Sequence, residues 1–263
     1  MDLGIKGKAA LVAAASRGLG RAVAEELAAE GVTLVLCARG REALEETANH
    51  IEQRTGVSVL AVHADLSVAE DVSRVVNSGL EKFGRIDILV TNAGGPPVGR
   101  FETLTNDAWE SATRLTLHSV LELTRRVLPG MKERRWGRIL NITSIAVKQP
   151  VENLMLSNSL RAAVTGFART LANEVATYNI TVNNIMPGYT RTERVEELAQ
   201  MMSEKESISP ADFIARWEKE IPMARLGEPR EFAALAAFLV SERASYITGT
   251  SIPVDGGWIR SLV

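Results

Sequence analysis

The reading of this chain turns on Leu11-Val-Ala-Ala-Ala-Ser-Arg-Gly-Leu-Gly-Arg21. An apolar run from Lys8 to Ala15 ends in a turn of small residues carrying Gly18 and Gly20, and a helical pattern of Ala22, Val23, Leu27 and Ala28 begins at once. Strand, turn and helix in that order open a doubly wound α/β fold. There the first turn brings bare backbone against a pyrophosphate, and the helix offers unpaired N–H groups and the positive end of its dipole. Two glycines so spaced also pack helices onto strands for structural reasons alone. Against that reading, Gly31-Val-Thr-Leu-Val-Leu-Cys-Ala-Arg39 and Arg85-Ile-Asp-Ile-Leu-Val-Thr-Asn-Ala-Gly-Gly95 read as further buried strands, the second ending in Asn92-Ala93-Gly94.

Outward from that stretch, strand-like runs near 8–14, 32–38, 57–63, 86–91, 137–143, 180–186 and 250–254 alternate with helical ones. Such alternation predicts a parallel sheet covered on both faces by right-handed crossovers, with ligands at the C-terminal edge of the strands. The expected fold is a Rossmann-type three-layer α/β sandwich on a seven-stranded parallel sheet, one domain over 1–263. Between Thr190 and Gly227 the rhythm breaks. Arg191 to Met202 and Pro210 to Glu220 are amphipathic and joined by a polar link, Ser203 to Ser209.

Composition sets bounds. The 263 residues are 46% hydrophobic and 24% charged, with a formal net charge of −2. No global field favours a polyanion, so nucleic acid is not an expected partner. The basic cluster Lys132 to Arg138 falls where a helix ends and reads as a solvated helix end complementing the dipole. Cys37, the single cysteine, lies inside a strand and has no internal disulfide partner. The N-terminal stretch lacks the apolar run of a secretory signal, and no segment approaches the ~18 apolar residues needed to span a bilayer. The expectation is a cytoplasmic protein without membrane or metal.

These motifs together resemble the short-chain dehydrogenase/reductase family, including its 3-oxoacyl-acyl-carrier-protein reductases. The family's Thr-Gly-x-x-x-Gly-x-Gly corresponds to Ala13, Ala14, Gly18 and Gly20, and its Asn-Asn-Ala-Gly to Thr91, Asn92, Ala93 and Gly94. Pro187-Gly188 and Tyr246 to Gly257 match its later strands, so the resemblance spans nearly the whole chain. It implies a dinucleotide held by Ala14, Ser16, Arg17, Gly18, Leu19 and Gly20, with Asp65 and Leu66 at the adenine and Asn92, Ala93, Gly94, Arg161, Pro187 and Gly188 further along. Asp65 is equally a cap for the helix after it. The second strand ends without an acid for the ribose 2′-hydroxyl, and Arg39 with Arg17 looks like the family's NADP(H) signature. The resemblance also makes 190–226 a helical lid over the substrate.

In this family hydride transfer relies on a serine after the fifth strand, a Tyr-x-x-x-Lys on the next helix and an assisting asparagine. An alkoxide forming at the reduced carbonyl needs a proton donor, and a tyrosine lowered in pKa by a lysine one helical turn away provides it. Here Ser144 is in place, but Ser157 stands at the tyrosine position, Arg161 at the lysine and Thr116 at the asparagine. Arginine keeps the cation but does not relay protons. Lys148 and Tyr189 are the nearby groups able to stand in. Two functions follow: an NADP-dependent oxidoreductase reducing a ketone or 3-oxoacyl-type carbonyl at an atypical site, or a non-catalytic dinucleotide-binding or regulatory protein. The resemblance further implies a homotetramer or dimer built from 104–130 and 154–177, with Leu115, Leu117, Val120, Leu121, Val164, Phe167 and Leu171 offering apolar faces.

Overall fold

The structure, a computed structural model, describes residues 2–262. Strand β1 (Ala9–Ala13) is buried along its whole length and alternates its side chains between two cores. Ala10 and Val12 point to one face, where helices α1 (Gly18–Ala29), α2 (Arg41–Thr55) and α9 (Pro229–Leu239) pack, while Leu11 and Ala13 point to the other. That second face is covered by α3 (Ala69–Phe83), α5 (Ser119–Glu133) and α6 (Met155–Val175). A strand buried on both sides has no polar face to show, which is why the run from Lys8 to Ala15 reads as continuously apolar.

Beside β1 lie β2 (Thr33–Ala38) and β4 (Ile88–Thr91), both parallel to it. Adding β3 (Val59–His63), β5 (Gly137–Ile142), β6 (Ile180–Pro187) and β7 (Ser251–Val254) gives a seven-stranded parallel sheet in the order β3-β2-β1-β4-β5-β6-β7. The expected strands are present, with ends moved by a residue or two. Strand order reverses between β1 and β4, and in an open sheet that switch point is where a ligand is received. A polar ladder crosses the far half of the sheet. Thr91 Oγ1 donates to Asn141 Oδ1 at 2.7 Å, Asn141 Nδ2 to Asn184 Oδ1 at 3.1 Å and Asn184 Nδ2 to Ser251 Oγ at 3.0 Å. Each buried amide thus has partners, as burial requires.

The cluster from Lys132 to Arg138 differs from its reading as a solvated helix end. Arg138 is fully buried, with its guanidinium over the Trp136 ring and bonded to the Ser241, Gly137 and Asn179 carbonyls. Arg134 and Arg85 converge on the buried carboxylate of Asp87, which also accepts from the Ala9 N–H. These cations fasten the N-terminal ends of the strands. Cys37 is buried as expected, and burial pushes its thiol up to about 12.

The chain leaves the layered pattern after β6. Helix α7 (Glu193–Glu206) is capped by Thr192, and α8 (Pro210–Glu220) by Ser209 with proline in its first turn. Their apolar faces meet Ile145, Met186, Leu226 and Trp258 in a separate hydrophobic cluster beyond the strand ends. Among the described residues no helix is long and apolar enough to cross a membrane, and no group of His, Cys, Asp and Glu is placed to hold a metal ion.

Candidate active site

A cavity of about 890 Å³ opens at the C-terminal edge of the sheet, over the switch point, and extends beneath α7 and α8. Its first part is the turn after β1. Ala14 adopts a left-handed backbone, φ 50°, at a position where glycine is free of strain. Ala14→Gly is therefore expected to raise the unfolding free energy by about 0.5–1 kcal/mol, measured by urea denaturation, because strain relief outweighs the added entropy of the unfolded chain. Gly20 lies under the turn. A Cβ there would sit 2.9 Å from the Ala14 carbonyl carbon and closer still to its oxygen, so helix and strand meet only with glycine at this point. No side chain caps the first turn of α1, and its N–H groups are left for a ligand.

Ala14, Ser16, Arg17, Gly18 and Leu19 line this end, together with Ala38, Arg39 and Leu66. Arg39 reaches across the strand ends, its Nη2 3.9 Å from the position of a Gly94 Cβ, and makes no ion pair among the described residues. Arg17 pairs with Glu197 at 3.5 Å. An uncapped helix N-terminus, a bare turn, two arginines and no acid at the end of β2 suit the phosphates of an adenine dinucleotide that carries a 2′-phosphate. Asp65 lies between two residues that line the cavity and is not itself part of the lining. Its carboxylate accepts from the Ser67 N–H and hydroxyl and shapes the turn into α3, leaving Ala64 and Leu66 at the surface of the site.

Further along, Asn92, Ala93, Gly94, Pro187 and Gly188 line the cavity with Ser144, Ser157 and Arg161. Ser144 caps the short turn Ile145–Val147 by accepting from the Ala146 N–H at 3.1 Å, which leaves its own proton to donate. Ser157 and Arg161 lie one turn apart on α6, both buried. Arg161 Nη1 donates to the Ile142 and Thr143 carbonyls at 2.9 and 2.8 Å, and Nη2 to the Ala93 carbonyl at 3.4 Å. The side chain read as a hold on ribose or substrate oxygen is thus first a clamp joining the ends of β4 and β5. Burial, and then Arg194, bring its pKa down to about 10, which leaves it fully charged at neutral pH. Thr116 sits in a π turn, Arg114–His118, packed on α6, and its Oγ1 is buried without a hydrogen-bond partner among the described residues.

The two stand-in acids part company. Lys148 is exposed at the end of the Ile145–Val147 turn and does not line the cavity, because the turn directs its neighbours Ile145 and Gln149 inward instead. Tyr189 does line it. Its ring stacks on Trp217 at 4.5 Å and stands nearly perpendicular to Trp258 at 5.9 Å. Burial, with Glu220 as the second cause, pushes its phenol up to about 12. Phe213, Trp217, Glu220 and Trp258 were not singled out from the sequence, although two of the four tryptophans at such positions were the available signal. Thr190, Thr192 and Arg194 were likewise missed. Arg194 lies over Gly95, 3.0 Å from where its Cβ would stand.

A turn that receives a dinucleotide beside a pocket headed by serine is the arrangement of a short-chain oxidoreductase, and the comparisons agree. Residues 13–259 match the family described as Enoyl-(Acyl carrier protein) reductase. The 3-oxoacyl-[acyl-carrier-protein] reductase of Aquifex aeolicus is 32% identical over 257 residues, covering 98% of this chain and 99% of that protein. The oxidoreductase UcpA of Escherichia coli is 36% identical over 256 residues, covering 96% and 95%. Among solved structures, L-sorbose reductase from Gluconobacter frateurii, complexed with NADPH and L-sorbose, superposes with a TM-score of 0.95 at 36% identity over the full length of both chains. The chain belongs to the short-chain dehydrogenase/reductase family.

Proposed function

We propose that this protein is an NADPH-dependent oxidoreductase that reduces a small carbonyl compound by hydride transfer, with an active site altered from the family's usual one. The observation that carries the reading is the single cavity joining the glycine turn and Arg39 to Ser144 and the aromatic pocket, so that a dinucleotide and a small molecule fit side by side. The NADPH held by the sorbose reductase relative supports the choice of cofactor. None of the three tyrosines, Tyr178, Tyr189 and Tyr246, is followed four residues on by lysine, so the customary acid pair is absent from the sequence.

The overall reaction is carbonyl plus NADPH plus a proton giving alcohol plus NADP⁺. When bound, the cofactor supplies the hydride. The chain's residues orient and stabilise. Ser144 and Ser157 present hydroxyls to the oxygen that gains charge, and Arg161 holds the ends of β4 and β5 while adding a fixed positive field. Tyr189, whose phenol stays protonated throughout the neutral range, gives the proton that completes the alcohol. Segment 190–226 closes over the substrate as a lid on the single domain. The test is NADPH consumption against a panel of ketones, ketoses and 3-oxoacyl thioesters, with Ser144→Ala expected to lower turnover about 10²-fold at every pH.

The protein is further read as a dimer or tetramer. Val120, Val164 and Leu171, counted among the apolar faces in the sequence, are already buried within the chain. Leu115, Leu117, Leu121 and Phe167 remain half-buried and carry the contact in this reading. Light scattering at micromolar concentration is expected to give at least twice the chain mass of 28.5 kDa, and a stable monomer contradicts it.

A further inference from the structure

The cations that line the cavity all lie at one end of it. Its arginines lie toward the dinucleotide: Arg17 and Arg39 at the ends of β1 and β2, Arg161 and Arg194 around Ala93 and Gly95. Neither lysine nor histidine lines it among the described residues. Glu193 lies among the arginines, beside Gly18, while the exposed carboxylates of Glu152, Glu206 and Glu220 line the rest of the cavity, Glu220 against the aromatic rings. Arg216 neutralises Glu206, but Glu152 and Glu220 have no ion pair among the described residues.

The N-terminus of α7 lies against the glycine turn, with Thr192 and Glu193 within 4 Å of the position of a Gly18 Cβ, and its C-terminus ends at Glu206, which also lines the cavity. Helix α8 begins beside that end, at Pro210, and runs to Glu220, which lines the cavity next to Trp258. Glu220, the last residue of α8, opposes that helix's own macrodipole and has no cation partner among the described residues, so its carboxylate is the uncompensated charge at this end. Glu220 is held against the aromatic wall, because its Oε2 accepts from Trp258 Nε1 at 3.3 Å. The stacked pair Tyr189 and Trp217 and the perpendicular ring of Trp258 form a corner of aromatic planes with a carboxylate at its edge. Such a corner attracts a cation through ring quadrupoles and charge together.

We propose that the substrate of this site is a carbonyl compound bearing an ammonium group, seated against the aromatic corner of Tyr189, Trp217 and Trp258 with its charge toward Glu220. This rests on the reductase reading and narrows it. Keto acids and thioesters of anionic carriers bring a negative charge against Glu220. A neutral ketose finds acceptors for its hydroxyls but leaves the negative potential uncompensated.

The test compares 5-(trimethylammonio)pentan-2-one with its carbon isostere 6,6-dimethylheptan-2-one, with 5-oxohexanoate and with L-sorbose. Two readouts are taken on the whole protein: kcat/KM from NADPH absorbance, and Kd from quenching of tryptophan fluorescence in the presence of NADP⁺. The ammonium ketone is expected to lead its isostere about tenfold in either readout, with the acid last. Glu220→Gln is expected to bring the ammonium-to-isostere ratio close to one, and Glu220→Lys to turn the order toward 5-oxohexanoate. The proposal is overturned if the isostere, the acid or sorbose equals or exceeds the ammonium ketone, if the ammonium ketone does not bind, or if the ratio is unmoved in Glu220→Gln. Turnover without the ammonium preference rejects this inference and keeps the reductase. Preferential binding of the ammonium ketone with no turnover of any carbonyl keeps the pocket's specificity and rejects the reductase.

Discussion

Replacing Tyr189 with phenylalanine is expected to slow NADPH-dependent reduction by about 10²–10⁴, the usual worth of a positioned acid. The ring, and with it the stack on Trp217, is retained, so the loss is that of one hydroxyl. The pH dependence gives a second signature. A phenol pushed up to about 12 by burial and by Glu220 is in its acid form at every lower pH. Reduction, which uses the acid, should therefore be nearly independent of pH between about 6 and 10 as far as this group is concerned. Alcohol oxidation, which uses the phenolate, should rise about tenfold per pH unit over the same span, since the phenolate fraction does so below its pKa. Tyr189→Phe should remove that slope. Lys148→Met, on a side chain exposed outside the cavity, should leave both rates within about twofold. The opposite outcome for the two variants would return the acid to Lys148.

Arg39→Ala is expected to weaken NADPH binding by about 10–100-fold while NADH binding changes little. A charge-assisted bond to phosphate is worth roughly 1.5–3 kcal/mol, and the 2′-phosphate is the only group that distinguishes the two cofactors. Arg39 is the better placed of the two arginines, since it has no carboxylate partner among the described residues, whereas Arg17 shares its charge with Glu197. Fluorescence titration of both cofactors checks this. Equal weakening of both would mean that Arg39 only shapes the strand end. High salt should reduce the NADPH advantage, because both arginines are exposed and screened.

The sequence makes the nucleotide end legible because its determinants are local. The bare turn of Ala14 to Gly20, the absence of an acid after Cys37-Ala38 and the Asn92-Ala93-Gly94 end of β4 each act through a few consecutive residues. The structure brings all but two of them, Asp65 and Gly20, to the cavity surface. Gly20 acts from beneath it. From the sequence Asp65 is open to binding and to capping, which are compatible; the structure shows its carboxylate accepting from Ser67 in the turn before α3.

The substrate end was harder to read. Tyr189, Trp217 and Trp258 come from a loop, helix α8 and the C-terminal turn, and nothing in their spacing announces that they meet. Glu220 gains meaning only from its place at the end of α8 beside Trp258. Arg161 was visible as a departure from the family pattern. That its guanidinium would be spent on the Ile142, Thr143 and Ala93 carbonyls follows from tertiary packing of α6 on the strand ends. For the same reason Arg161→Lys with Ser157→Tyr would restore the family's pair at the cost of part of this clamp, since a single ammonium cannot reproduce the planar fork. Arg138 is a parallel case away from the site, its burial hidden within a run of charges that looks solvated.

The measurement that bears most directly on the account is absorbance of the nicotinamide band while the purified protein meets NADPH and a panel of carbonyl compounds, with product alcohol assayed in the same vessel. NADPH loss is expected to be matched mole for mole by alcohol, and to be abolished or nearly so in Ser144→Ala and Tyr189→Phe. NADPH that binds tightly and is never oxidised by any carbonyl would contradict it, and would make the chain a dinucleotide-binding protein on an oxidoreductase fold.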